Sequence, residues 1–86
     1  VRSVTTYPLP TYTGRHQITL PVDAQVVGVE CATGRPPVLV IVGDPYGQVA
    51  PRNILVTGPG GFVDEGARYL GTMMPMGQAV FVFETP

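Results

Sequence analysis

Between Pro37 and Pro45 the chain reads Val38-Leu39-Val40-Ile41-Val42-Gly43-Asp44, five consecutive apolar residues fenced by turn-formers. Four of the five are β-branched, which suits a pleated strand and restricts χ1 in a helix. A strand with one wet face alternates apolar and polar residues, so an unbroken run predicts cover on both faces. No segment sustains a 3.6-residue period. The expected cover is therefore more sheet, or a second copy of the chain.

Eleven glycines and ten prolines punctuate the chain. Most of them fall between β-like runs, which is the placement of turns. The runs occupy residues 4–9, 16–20, 25–31, 37–42, 52–57, 68–73 and 78–84. Ile18 and Leu20 share one face of the second run, with Gln17 and Thr19 on the other. In the third, strict alternation puts Val27, Val29 and Cys31 on one face and Val26, Gly28 and Glu30 on the other. Gly28 there marks a bulge or a close backbone approach. The third and fourth runs, joined by Thr33-Gly34-Arg35-Pro36, read as a hairpin. Seven short strands in 86 residues predict one all-β domain spanning 1–86, a small antiparallel sandwich or barrel.

A chain this short buries only roughly 60–65% of its unfolded surface. Apolar residues nevertheless make up 44% and charged residues only 13%, so some of that apolar surface is expected to be covered by association into a homo-oligomer. The net charge of −1 argues against binding a nucleic-acid backbone, which calls for a basic stripe. Every fixed cation is an arginine: Arg2, Arg15, Arg35, Arg52 and Arg68. Arginine suits flat, bidentate contact with carboxylate or phosphate. The single Cys31 cannot form an intrachain disulfide and is expected as a small buried hydrophobe. No signal peptide or membrane-length apolar run is visible, so the expected location is cytoplasmic, with no membrane partner.

Few residues carry chemistry. His16 lacks a neighbouring nucleophile and reads as a solvent-facing strand residue, and Asp64-Glu65 read as solvated charge. No catalytic residue, metal site or cofactor is expected, and the chain does not read as an enzyme. The strongest ligand candidate is Thr57-Gly58-Pro59-Gly60-Gly61, whose glycines permit the positive φ of an anion-binding nest. Arg52 and Arg68 could add bidentate phosphate contacts, and Tyr69 could stack on a base. The candidate ligand site is thus Arg52, Thr57, Gly58, Gly60, Gly61, Arg68 and Tyr69. The plain alternative is a β-turn with solvated arginines. Met73-Met74-Pro75-Met76 forms either a subunit contact, a core filler or an adhesive tip for a partner protein.

Tyr7-Pro8-Leu9-Pro10, Gln17-Ile18-Thr19-Leu20-Pro21, Val27-Gly28-Val29, Leu39 to Pro45, Ile54 to Gly60, Tyr69-Leu70-Gly71-Thr72 and Ala79 to Glu84 recur here in one order. That ordered set resembles a family of short phage and prophage proteins of unknown function. Asp23 stands where the pattern has glycine, and Pro59 where it has threonine. The resemblance implies a viral accessory protein in the host cytoplasm. Within that setting, the arginine-only cations, the glycine loop and the expected oligomer favour sequestration of a nucleotide signal in host defence. The other reading is a module binding a host protein, either an inhibitor of a defence complex or a minor virion component.

Overall fold

The structure, a computed structural model, describes residues 1–32, 34–75 and 77–86. Seven strands form: β1 (Ser3–Pro8), β2 (Gly14–Pro21), β3 (Gln25–Glu30), β4 (Val38–Gly43), β5 (Val49–Thr57), β6 (Arg68–Met73) and β7 (Val80–Thr85). They build two antiparallel sheets, in the orders β1-β4-β3 and β2-β5-β7-β6. The all-β expectation holds, in the form of a sandwich. Among the described residues there is no helix, so none is long and apolar enough to cross a membrane.

The valine-rich run is β4, the middle strand of the smaller sheet, paired with β1 on one side and β3 on the other. Leu39 and Ile41 point inward and are 0% and 1% exposed. Across the core they meet Leu20 of β2, Ile54 and Val56 of β5, Val82 of β7, and Leu70 and Met73 of β6. Each such side chain contributes about 1.5–3 kcal/mol by leaving water. Val38, Val40 and Val42 lie on the opposite face and are only half-buried. Their neighbours in register are Val4, Thr6 and Pro8 of β1 and Gln25, Gly28 and Glu30 of β3. The expectation of cover on both faces is thus met on one face by this chain and left open on the other.

Strict alternation fails in β3. The ladder to β4 shifts between Val26 and Gly28, so Val26 opposes Ile41 and Val29 opposes Leu39. Val26 and Val29 therefore share the core face, and the extra residue, Val27, turns outward at 57% exposure. The bulge signalled by Gly28 is present; the face assignment made without counting it is corrected. Cys31 is also corrected: β3 ends at Glu30, and the thiol is exposed. β5 begins before its expected start and runs through Pro51. Its first residues pair with β2 alone, since pairing with β7 starts only at Asn53. Proline is tolerated there because no strand on the other side asks for its missing N–H.

The edge strands β3 and β6 approach closely across the sandwich. A Cβ built on Gly71, at the bulge in β6, would sit 2.8 Å from Val29 Cγ2 and 2.9 Å from Val29 Cβ. Val29 is packed on the core and cannot retreat freely. Gly71→Ala is expected to cost about 1–3 kcal/mol by overpacking, lowering the melting temperature by roughly 10 °C in a domain this small. Gly28→Ala, where a Cβ meets nothing within 4 Å, is expected to change it by less than about 2 °C. Thermal unfolding followed by circular dichroism compares the two.

Candidate functional site

Two of the sequence-derived candidates, Arg52 and Arg68, stand at one end of the larger sheet. Arg52 shares the inner face of β5 with Ile54, and its guanidinium forms a two-pronged ion pair with Glu84 of β7. Its Nη2 donates to Glu84 Oε1 at 2.9 Å while Nε donates to Oε2. The remaining fork, Nη1, donates to the Ala24 carbonyl at 3.1 Å, tying the β2–β3 turn to the larger sheet. The two side chains are only 21% and 18% exposed. The hydrogen bond from Arg52 is the main cause holding the Glu84 carboxyl below the usual glutamate range; burial opposes it. Arg68 faces Glu84 directly across the β6–β7 ladder and adds a smaller push in the same direction. Arg52 is thereby committed to closing this end of the core.

The glycine loop stands at the opposite end. Thr57 lies five positions beyond Arg52 along β5, about 17 Å of extended chain. Gly61 N–H donates to the Gly58 carbonyl at 3.2 Å, Pro59 occupies the second position, and Gly60 has φ +85°. This is the pattern of a type II turn, in which proline pre-sets the first corner and glycine supplies the second. Proline also removes one of the N–H groups that a nest would aim at an anion. Thr57 Oγ1 is turned back onto the Gly58 carbonyl. Tyr69 lies on the outer face of β6, packed edge-on against Phe83 at 5.5 Å between ring centres, its hydroxyl bonded to Thr72. Arg68 and Tyr69 are neighbours in one strand and so project on opposite faces. The seven candidates do not converge on one site within a single chain.

The residues that do converge lie in the turns beside the far end of the core. The β3–β4 turn and the β6–β7 turn project past the sheets and wall an open groove of about 730 Å³. Cys31, Arg35, Pro36 and Pro37 form one side, Thr72, Met73, Met74 and Pro75 the other, with Thr11 also on the lining. Gly34, at φ +78°, lets the first turn reverse. Arg35 is anchored by its own N–H, which donates to the Ala32 carbonyl at 3.1 Å. Its guanidinium is exposed and has no acidic partner among the described residues. Of the methionine run, Met73 fills the core at 1% exposure and Met74 is 58% exposed; Met76 lies outside the described residues, as does Thr33.

His16 also differs from expectation. It shares the inner face of β2 with Ile18 and Leu20 and is half-buried. Its Nε2–H donates to the Tyr12 carbonyl at 3.1 Å, with the ring edge-on to Tyr12 at 4.8 Å. With that nitrogen engaged, the imidazole pins the β1–β2 linker. Asp64 is likewise more than solvated charge. Arg15 of β2 grips it with both terminal nitrogens, Nη2 at 2.6 Å from Oδ1, and this hydrogen bonding holds the Asp64 carboxyl below its ordinary range. The pair clasps the β5–β6 connection over the outer face of the larger sheet. There Leu55, opposite Arg15 in the ladder, is only 7% exposed. An ion pair 49 residues apart leaves no trace in local sequence.

Comparison with curated proteins and with solved structures finds no match to this chain. A family model described as a domain of unknown function (DUF7352) matches residues 1–86. The chain, over its whole given length, therefore belongs to the DUF7352 family.

Proposed function

We propose that this protein is a non-enzymatic viral accessory protein that binds and sequesters a nucleotide in the groove between the β3–β4 and β6–β7 turns. The carrying observation is that groove, about 730 Å³, lined in part by Arg35, which has no acidic partner among the described residues. Small-molecule sites span roughly 300–1,000 Å³ and combine apolar lining with a few polar groups. Arg35 matches a phosphate with two parallel N–H donors. Thr11 brings a hydroxyl, and Pro36, Pro37 and Met74 offer apolar surface to a base. Arg35 takes the role that the sequence suggested for Arg52. The resemblance to short phage proteins supports the viral setting, in which holding a host nucleotide signal blunts defence in the host cytoplasm.

The test is a thermal-shift panel of cyclic and ADP-ribose-type nucleotides. A ligand at about 100 times its dissociation constant adds roughly 2.7 kcal/mol, a rise on the order of 10 °C here. Arg35→Ala should abolish that rise and leave the unliganded melting temperature unchanged. The same ligand should slow alkylation of Cys31, the chain's one cysteine. A flat response across the panel refutes the reading. Phe62, 95% exposed on the β5–β6 connection, favours the alternative of a host-protein inhibitor or minor virion component. That alternative expects a specific host protein in a pull-down, lost in the Phe62→Ser, Met74→Ser variant.

A further inference from the structure

We propose that residues 58–67, the connection between β5 and β6, form a strap that opens independently of the sandwich when the Arg15–Asp64 pair is lost, uncovering an apolar row centred on Leu55. The row crosses the outer face of the larger sheet. Leu55 of β5 stands in register with Arg15 of β2 on one side and Phe83 of β7 on the other, and Phe83 with Tyr69 of β6. No second sheet covers this face, yet Leu55 is only 7% exposed. On the outer face of the smaller sheet Val40 also has a ladder neighbour on each side, Thr6 and Gly28, and stays half-buried. Leu55 has two features that Val40 lacks: larger neighbours, and a connection held over its face by Arg15.

The strap itself is weakly tied. None of residues 58–67 is fully buried. Among the described residues its backbone hydrogen bonds, Gly61 N–H to the Gly58 carbonyl and Ala67 N–H to the Asp64 carbonyl, close turns within the connection, and none reaches a sheet. Gly60 and Gly66, both at positive φ, stand towards its two ends. A segment with few buried contacts and no ladder opens at a lower free energy than the core. What fixes it to the sheet is one polar contact. Arg15 Nη2 donates to Asp64 Oδ1 at 2.6 Å and Nη1 donates to Oδ2. The two side chains are 65% and 37% exposed, so the pair is a modest latch that salt screens. The other described ion pairs, Arg2–Asp23 and Arg52–Glu84, lie at the opposite end of the sandwich and do not touch the strap.

Two probes read the opening. Leu55→Cys in a Cys31→Ser background places the chain's one thiol beneath the strap, and its rate of alkylation reports uncovering. Hydrogen exchange at the Ala67 amide, followed by NMR in the otherwise parent chain, reports the same event without touching Leu55. Asp64→Asn should speed both by about threefold while leaving the melting temperature and the exchange of β4 amides unchanged. Exchanging the partners, Arg15→Asp with Asp64→Arg, should return both rates to the parent values. Raising salt from about 20 mM to about 500 mM should speed opening in the parent and not in Asp64→Asn. Rates indifferent to Asp64→Asn overturn the proposal. So does an Ala67 amide that exchanges only as fast as those of β4, because the connection then opens only when the whole domain unfolds. An introduced thiol that reacts as fast as one in a free peptide overturns it too, since nothing then covers that position.

Discussion

Leu39→Ala should remove about 3 kcal/mol of stability and lower the melting temperature by roughly 15 °C. The side chain is fully enclosed, 0% exposed, on a central strand whose backbone is held from both sides. Neither β1 nor β3 can collapse into the void without giving up its ladder to β4, so the cavity term adds to the lost transfer energy. An 86-residue domain has only about 4–13 kcal/mol to lose, which makes this a large fraction. Val40→Ala, one residue along and half-buried on the outer face, should cost less than about 1 kcal/mol in the monomer. Chemical denaturation of both variants measures the contrast. Equal losses would show that the run is enclosed on both faces after all.

Arg52→Ala should cost about 2 kcal/mol at pH 7. Removing one partner of a buried ion pair costs about 3–5 kcal/mol, and the value is set lower because solvent reaches about a fifth of each side chain. The loss is mostly that of stranding the Glu84 carboxylate, together with the Ala24 carbonyl that loses its donor. The pH dependence follows from the direction of the Glu84 shift. Its folded-state pKa lies below the ordinary value of 4.5, so the unfolded chain binds the proton more readily. The pair's contribution is complete above that value and disappears as pH falls through the lower, folded-state value. The stability gap between the parent and Arg52→Ala should therefore narrow steadily below pH 4.5. A gap that stays constant down to pH 3 would mean that Glu84 titrates normally. Replacing both residues by hydrophobes of similar volume should recover much of the loss, because the desolvation of two charges is avoided.

All seven strands were legible because glycine and proline bound runs of β-branched and aromatic residues, and those signals are local. The facing of β3 was not, because a bulge shifts every later side chain by one position and only the partner strand fixes where it falls. Gly28 announced a bulge; that Val27 is the extra residue depends on register with β4. His16 was misread although its spacing to Ile18 and Leu20 placed it on the inner face. Cys31 was misread for the opposite reason, since pairing stops one residue before it. The candidate site failed to assemble because residues adjacent in sequence project to opposite faces of a strand, as Arg68 and Tyr69 do. Arg52 is committed to Glu84, 32 residues away, and no local pattern records that. Arg35 carried no special mark in the sequence; its position opposite Met74 arises only when two hairpin turns project from the same end.

The seventh strand lies between β5 and β6, so the last of these seven strands to emerge is an interior one. Until it is inserted, β6 has no backbone partner in its sheet, and β1 and β2 wait for β4 and β5 across long stretches of chain. Closing such distant pairings costs loop entropy before any contact rewards it, which places folding in the millisecond-to-second range. During that interval the nascent chain presents open strand edges to its surroundings, the condition under which aggregation and chaperone capture compete with completion.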